Sequence, residues 1–202
     1  MASYKYYFIF LKLFVIWNRK RRIMKYLFLA ATDFELDAAR RAWQGADAAF
    51  HVSGWGAEAT LRTLEAAFSA GVSFDRVVDV GIAGSGTPDL PPGAVAHVVA
   101  EHYGDRPGPW LRNPAPWPAL DFLPQATGRT LQELDDRWRG ETAGIESMEG
   151  AAFFEACLRH GVPFAEIRAV SNFVGEADRS RWDIPLALRQ LENALTRLKN
   201  ES

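Results

Sequence analysis

Gly150-Ala151-Ala152-Phe153-Phe154-Glu155-Ala156-Cys157-Leu158-Arg159-His160, followed by Phe164-Ala165-Glu166-Ile167-Arg168-Ala169-Val170, is the stretch that decides the fold class. The first run is built of small and apolar residues at helical spacing and predicts a buried helix. The second is short and apolar and predicts a buried strand. Outward from this pair the same alternation repeats. Strands are predicted over Tyr26–Ala31, Phe50–Ser53, Asp75–Val80 and Ala94–Ala100. Helices are predicted over Phe34–Trp43, Ala57–Ala70, Leu131–Arg139 and Pro185–Leu198. Asp33 is placed to cap the first of these or to sit in its first turn. In the second, Ala59, Leu61, Leu64, Ala67 and Phe68 fall on one side, and Gly71 stops the helix. Tyr103–Pro124, rich in Pro, Gly and Trp and without a period, reads as loop. Alternating elements of these lengths imply an α/β fold: a single three-layer domain whose central mixed, largely parallel twisted sheet is flanked by helices.

Composition agrees with one domain. The chain has 202 residues, 48% hydrophobic and 24% charged, enough apolar material for a full core. A formal net charge of -2 gives nucleic acid no electrostatic footing as a partner. The single cysteine, Cys157, lies in the apolar helix and reads as a buried reduced thiol. The four histidines, His51, His97, His102 and His160, show no ligand spacing, so no metal site is expected. Tyr4 to Trp17 is apolar and aromatic, but it is interrupted by Lys5 and Lys12 and is shorter than the roughly 20 residues of a membrane span. A secretory signal would carry its basic residues before the apolar run; here Arg19-Lys20-Arg21-Arg22 come after it, with no Ala-x-Ala site. No stable membrane span is expected. Residues 1–23 read as an N-terminal extension, from an upstream start or as a membrane-surface anchor, and 24–202 as the domain, opened by a strand just after Met24.

Ligands of such sheets bind at the carboxyl ends of strands. Four segments stand there: Ala31-Thr32-Asp33-Phe34-Glu35, Gly81-Ile82-Ala83-Gly84-Ser85, Ile145-Glu146-Ser147-Met148-Glu149-Gly150 and Ser171-Asn172-Phe173. Gly81–Gly86 reads as a tight turn, or as bare backbone against which a flat base or sugar can lie. Its spacing is not that of a dinucleotide loop. Glu149 opens a helix, where the dipole favours a carboxylate; it is either a cap or an acceptor for ligand hydroxyls. Glu35 taken alone reads as an exposed helix acid, and Asn172 as a bend after its strand.

Together these segments resemble the purine nucleoside phosphorylase and nucleosidase superfamily, and within it the futalosine hydrolases. The most specific stretch is Glu146-Ser147-Met148-Glu149-Gly150-Ala151-Ala152-Phe153-Phe154, followed by Ile167-Arg168-Ala169-Val170-Ser171-Asn172-Phe173-Val174 and then by Arg179, Trp182 and Ile184-Pro185-Leu186-Ala187. The Gly81–Ser85 turn and the Met24–Glu35 opening also fit. The resemblance implies a nucleoside phosphorylase-like fold and a hydrolase of N-ribosidic bonds that releases hypoxanthine from futalosine in menaquinone biosynthesis. It implies that Glu35 activates water, that Met148 and Glu149 lie against the ribose, and that Asn172 stands where methylthioadenosine nucleosidases carry an aspartate. Gly81, Ile82, Ala83, Ser147 and Ser171 complete the expected substrate site. An amide can serve O6 and N7 of a 6-oxopurine at once, whereas a carboxylate beside O6 would place like charges together. The implied partner is a small-molecule nucleoside and the implied assembly a homo-oligomer, cytoplasmic and needing no cofactor. The region Tyr103–Arg139 is shorter than in family members. It motivates one alternative, a nucleoside-binding homologue without activity; the other is a phosphorylase, which would need a phosphate cradle where this chain has Thr32-Asp33-Phe34-Glu35.

Overall fold

A computed structural model describes residues 25–104, 107–132 and 144–201. The chain opens with strand β1 (Tyr26–Ala30), helix α1 (Asp33–Ala42), strand β2 (Ala48–Val52) and helix α2 (Ala57–Ser69). Strands β3 (Arg76–Ser85), β4 (Val95–Tyr103), β5 (Leu111–Arg112), β6 (Gln125–Thr130) and β7 (Ile145–Ser147) follow, with a 3-10 turn over Pro118–Leu120. Helix α3 (Gly150–His160), strand β8 (Phe164–Phe173), a second 3-10 turn (Arg179–Arg181) and helix α4 (Ile184–Glu201) complete it. The helix predicted over Leu131–Arg139 falls largely outside the described residues, and the extension 1–23 wholly outside them.

The eight strands form one sheet in the order β2-β1-β3-β7-β6-β4-β5, with β8 pairing both β3 and β4. Pairs β1–β2, β1–β3, β3–β8, β4–β6 and β6–β7 are parallel; β3–β7, β4–β5 and β4–β8 are antiparallel. The sheet is mixed and largely parallel. The pairings β3–β8–β4–β6–β7–β3 also close on themselves, so the centre of the sheet curls into a ring.

Alternate side chains of each strand feed two cores, which is what period-two alternation dictates. On one face Tyr26, Phe28, Val78 and Val80 meet Leu36 and Ala39 of α1 and Leu191 and Leu195 of α4. On the other, Leu27, Leu29 and Val77 meet Leu64 of α2 and Phe153 and Phe154 of α3. Phe153 and Phe154 are fully buried and pack edge to face on Phe164. Truncating either to Ala removes about 3–5 kcal/mol, by transfer and cavity terms together. Helix α3 ends at Gly161, whose φ of 63° is the left-handed conformation that terminates helices. Among the described residues three layers result: two helices, the sheet, two helices.

The sequence reading and the structure part company in several places, among them Tyr103–Pro124, read as loop, which holds β5 and the first 3-10 turn. Gly81–Ser85, expected as a turn, is the second half of β3, paired with Arg168–Phe173 of β8 and with Ile145 and Glu146 of β7. Ladder bonds pair this segment with its neighbours, the Ile82 N–H turns instead to the Glu35 side chain, and a register shift between Ala83 and Gly84 absorbs the irregularity. Asn172, expected as a bend, lies within β8. Gln125–Thr130 is a strand that its polar composition concealed.

Candidate active site

Two long central strands, β3 and β8, end beside the first turns of α1 and α3, and a cavity of about 590 Å³ opens there. Ile82 and Ala83 of β3, Ser147 of β7, Met148 and Glu149, and Ser171 and Asn172 of β8 line it, with Glu35 from α1. The structure therefore brings together every expected site residue except Gly81. That glycine lies behind the wall: a Cβ added to it would collide with Arg168 Nη1 and sit 2.9 Å from Glu35 Oε1. Its requirement is room for two charged groups, not flexibility.

Glu35 is the third residue of α1 and is only 5% exposed, so the reading as an exposed helix acid does not hold. Its Oε1 accepts the Ile82 N–H at 2.9 Å, and its Oε2 accepts the Thr32 hydroxyl. Burial raises its pKa above the ordinary glutamate value; the Thr32 and Ile82 hydrogen bonds and the nearby Arg168 charge offset this in part. A carboxyl tuned in this direction takes up a proton more readily, which suits a general base.

Glu149 immediately precedes α3 but does not cap it. Its Oε1 accepts the Gly56 N–H at 2.9 Å and its Oε2 the Met148 N–H at 3.2 Å. Ser147 Oγ serves the helix instead, accepting the Gly150 N–H at 3.3 Å. Gly56 can offer its N–H because it adopts a φ of 87°, which a side chain disfavours. Each Glu149 oxygen keeps a lone pair for a ligand hydroxyl. Asn172 is fixed in turn: Oδ1 accepts the Ser171 hydroxyl at 2.6 Å, and Nδ2 donates to the Phe173 carbonyl at 3.0 Å. One N–H and one lone pair of the amide remain for a ligand.

Sequence reasoning missed the layer beneath. Arg168 is 1% exposed, donates from Nε to Glu166 Oε1 at 2.7 Å and pairs through Nη2 with Asp79. Burial pushes both Asp79 and Glu166 up, and the Arg168 charge pulls against it. The available signal was a charge in the middle of an apolar strand, Asp79 in one and Glu166 and Arg168 in the other. At the rim, Phe34 and Trp55 are exposed, and the Arg179 guanidinium lies 5.6 Å over the Trp182 ring. Cys157 is a free, buried thiol that burial pushes well up, as its helix setting implied.

Residues 122–200 match the family model described as the Phosphorylase superfamily. The chain is 38% identical over 125 residues to a futalosine hydrolase of Streptomyces coelicolor, covering 62% of this chain and 48% of that one. It is 47% identical over 72 residues to a futalosine hydrolase of Acidothermus cellulolyticus, covering 36% and 30%. The likeness to the phosphorylase superfamily is carried by the C-terminal part of the chain, residues 122–200. The chain spans about half the length of the first of these relatives, and less of the second. Solved structures share its fold: futalosine hydrolase of Helicobacter pylori superposes with a TM-score of 0.74 at 16% identity, over 89% of this chain and 99% of that one. A methylthioadenosine/S-adenosylhomocysteine nucleosidase from Colwellia psychrerythraea, in complex with adenine, gives 0.73 at 19% identity, over 88% and 96%. No helix among the described residues is long and apolar enough to cross a membrane.

Proposed function

We propose that the chain is a hydrolase of N-ribosidic bonds that acts on futalosine, releasing hypoxanthine and dehypoxanthine futalosine in the futalosine pathway of menaquinone biosynthesis. The observation that carries this reading is the convergence of Glu35, Glu149 and Asn172 on one cavity, each on separate supports. The likeness to curated futalosine hydrolases supports the substrate.

Chemistry follows from the groups. Cleavage passes through a ribosyl oxocarbenium-like state, with positive charge on the sugar and electrons gathering on the departing base. Met148 lies against the ribose and Glu149 accepts its hydroxyls. The free N–H and lone pair of Asn172 face O6 and N7 of the base, and a preorganised amide stabilises charge as it builds there. Glu35 takes a proton from water as the oxygen attacks the anomeric carbon, a role worth about 10²–10⁴-fold in rate. Ile82, Ala83, Ser147 and Ser171 complete the substrate site, with Gly81 behind them. An acid where a phosphorylase cradles phosphate favours water over phosphate as the nucleophile.

The reading extends to the setting: residues 24–202 as one catalytic domain with 1–23 as an extension, a cytoplasmic location, a homo-oligomeric assembly, and no metal or cofactor requirement. The test is hypoxanthine release from futalosine, with inosine and methylthioadenosine in parallel, first in phosphate-free buffer and then with phosphate. Release from futalosine alone and independent of phosphate is expected. Release that requires phosphate makes the protein a phosphorylase. No release from the folded protein turns the reading toward a nucleoside-binding homologue, which the short segment Tyr103–Arg139 favours.

A further inference from the structure

Beneath the cavity, one face of the sheet carries a row of charge that the proposed reaction leaves unused. Asp79 lies on β3, Glu101 on β4, and Glu166 and Arg168 on β8, all essentially inaccessible to solvent. Strand register sets Asp79 beside Glu166 and Gly81 beside Arg168. From α1 the row faces Glu35; from the α3 side it faces Glu149 and the Cys157 thiol. Three acids thus share one guanidinium. Arg168 is the counter-charge that acts on all three acids.

Hydrogen bonding locates the imbalance. Arg168 occupies one oxygen each of Asp79 and Glu166, and does not bond to Glu101. Glu101 Oε2 accepts the Thr130 hydroxyl at 3.0 Å, and that hydroxyl in turn accepts the Ala151 N–H at 2.6 Å. Glu101 Oε1 and Glu166 Oε2 are buried without a hydrogen-bond partner. The two carboxyls meet over Gly150: a Cβ there would strike Glu101 Oε1 and lie 2.8 Å from Glu166 Oε1. Gly128 clears the other side of Glu101 in the same way. Two anions pressed together away from water cannot both ionise, and one proton between them removes the conflict.

We propose that Glu101 and Glu166 share a single proton, carried on Glu101 Oε1, and that this pair with Asp79 forms a charge-balanced clamp positioning the Arg168 guanidinium beside Glu35. Glu101, Glu166 and Asp79 are then positioning residues, acting on Glu35 through Arg168. A Glu101 that keeps its proton leaves Glu166 anionic and able to hold Arg168. Without the Glu101 donor the buried Glu166 carboxylate is less stabilised and draws a proton more readily, so the guanidinium is less neutralised and exerts a more positive field at Glu35. Burial, and then the Glu166 charge, push Glu101 well up, in keeping with this assignment.

The test compares Glu101→Gln, Glu101→Met and Glu166→Gln by the acidic limb of kcat/KM and by Tm against pH. The kinetic arm rests on the reading of Glu35 as general base; the thermal arm does not, so the two can fail separately. Glu166→Gln is expected to move the acidic limb to lower pH by several tenths of a unit, because Arg168 acts on Glu35 less neutralised. Glu101→Met should shift it the same way, and Glu101→Gln, whose amide restores a donor to Glu166, should return it toward the wild-type position. A group held protonated by the fold stabilises below its unfolded pKa, and that stability is lost as pH rises through the folded pKa. The wild-type Tm should therefore decline toward alkaline pH more steeply than that of Glu101→Gln. A Glu101→Gln limb displaced as far as that of Glu101→Met, or a Tm profile no flatter than the wild type, means that Glu101 works as an anion and overturns the proposal.

Discussion

Helices α1 and α3 reach the cavity from opposite faces of the sheet, and each brings a buried glutamate at its start. The two are held differently. Glu149 has a main-chain N–H on each oxygen, from Gly56 and Met148. Glu35 has one main-chain donor, Ile82, and one side-chain hydroxyl, Thr32, with the Arg168 charge behind it. Main-chain donors set by strand and loop geometry fix an acceptor in place. A hydroxyl that can rotate lets its partner gain and lose a proton. The same residue type at the same kind of position is thus prepared for holding on one side and for exchange on the other.

The sharpest way to break this distinction is to neutralise each acid without changing its shape. On the proposed function, Glu35→Gln should lower kcat for futalosine by about 10²–10⁴-fold while leaving nucleoside affinity measured by calorimetry within about twofold, since a general base acts only in the transition state. Equal loss in both would make Glu35 a binding residue. On the same proposal, Glu149→Gln should instead weaken nucleoside binding by about 2 kcal/mol, roughly thirtyfold, the loss expected of a charge-assisted acceptor for the ribose. Free hypoxanthine, which has no ribose, should bind it as it binds the wild type.

Gly81→Ala sharpens the comparison from the protein side. Its Cβ intrudes on Arg168 and Glu35, so it should cost about 1–3 kcal/mol in urea unfolding and impair the proposed base function of Glu35 more than nucleoside binding. The smallest effect is that of pH. The raised pKa of Glu35 places the acidic limb of kcat/KM above the ordinary glutamate range. The same shift means that the contribution of Glu35 to stability, present at low pH, is lost as pH rises through its folded pKa. Glu35→Gln should accordingly flatten the Tm profile between acid and neutral pH.

Much of the fold was legible because apolar residues kept a single period. Helix Gly150–His160 was read to its end residues, since nearly every position in it is small or apolar. Strand Gln125–Thr130 was not read: Gly128, Arg129 and Thr130 serve buried polar partners, so it lacks the apolar alternation that announces a strand. The cavity lining at Met148, Glu149, Ser171 and Asn172 was legible through their spacing. Its support was not, because Asp79, Glu101, Glu166 and Arg168 look like solvated charges until strand register sets them against one another. Gly81–Ser85 shows the same limit. Glycine signalled special backbone, but the cause is the volume of a guanidinium from a strand far along the chain.

The closed ring of strands has a consequence for the order of assembly. Strand β3 finds its neighbours β7 and β8 only among residues 145–173, so ring closure draws together segments well separated along the chain. Such long-range pairings form slowly, after loop-closure entropy has been met. On a ribosome Glu35 emerges early, yet its Arg168 neighbour and the Asn172 across the cavity follow only near the end. A nascent chain can fold β1, α1 and their local packing first, but the pocket comes into being in one late event, when β8 slides between β3 and β4.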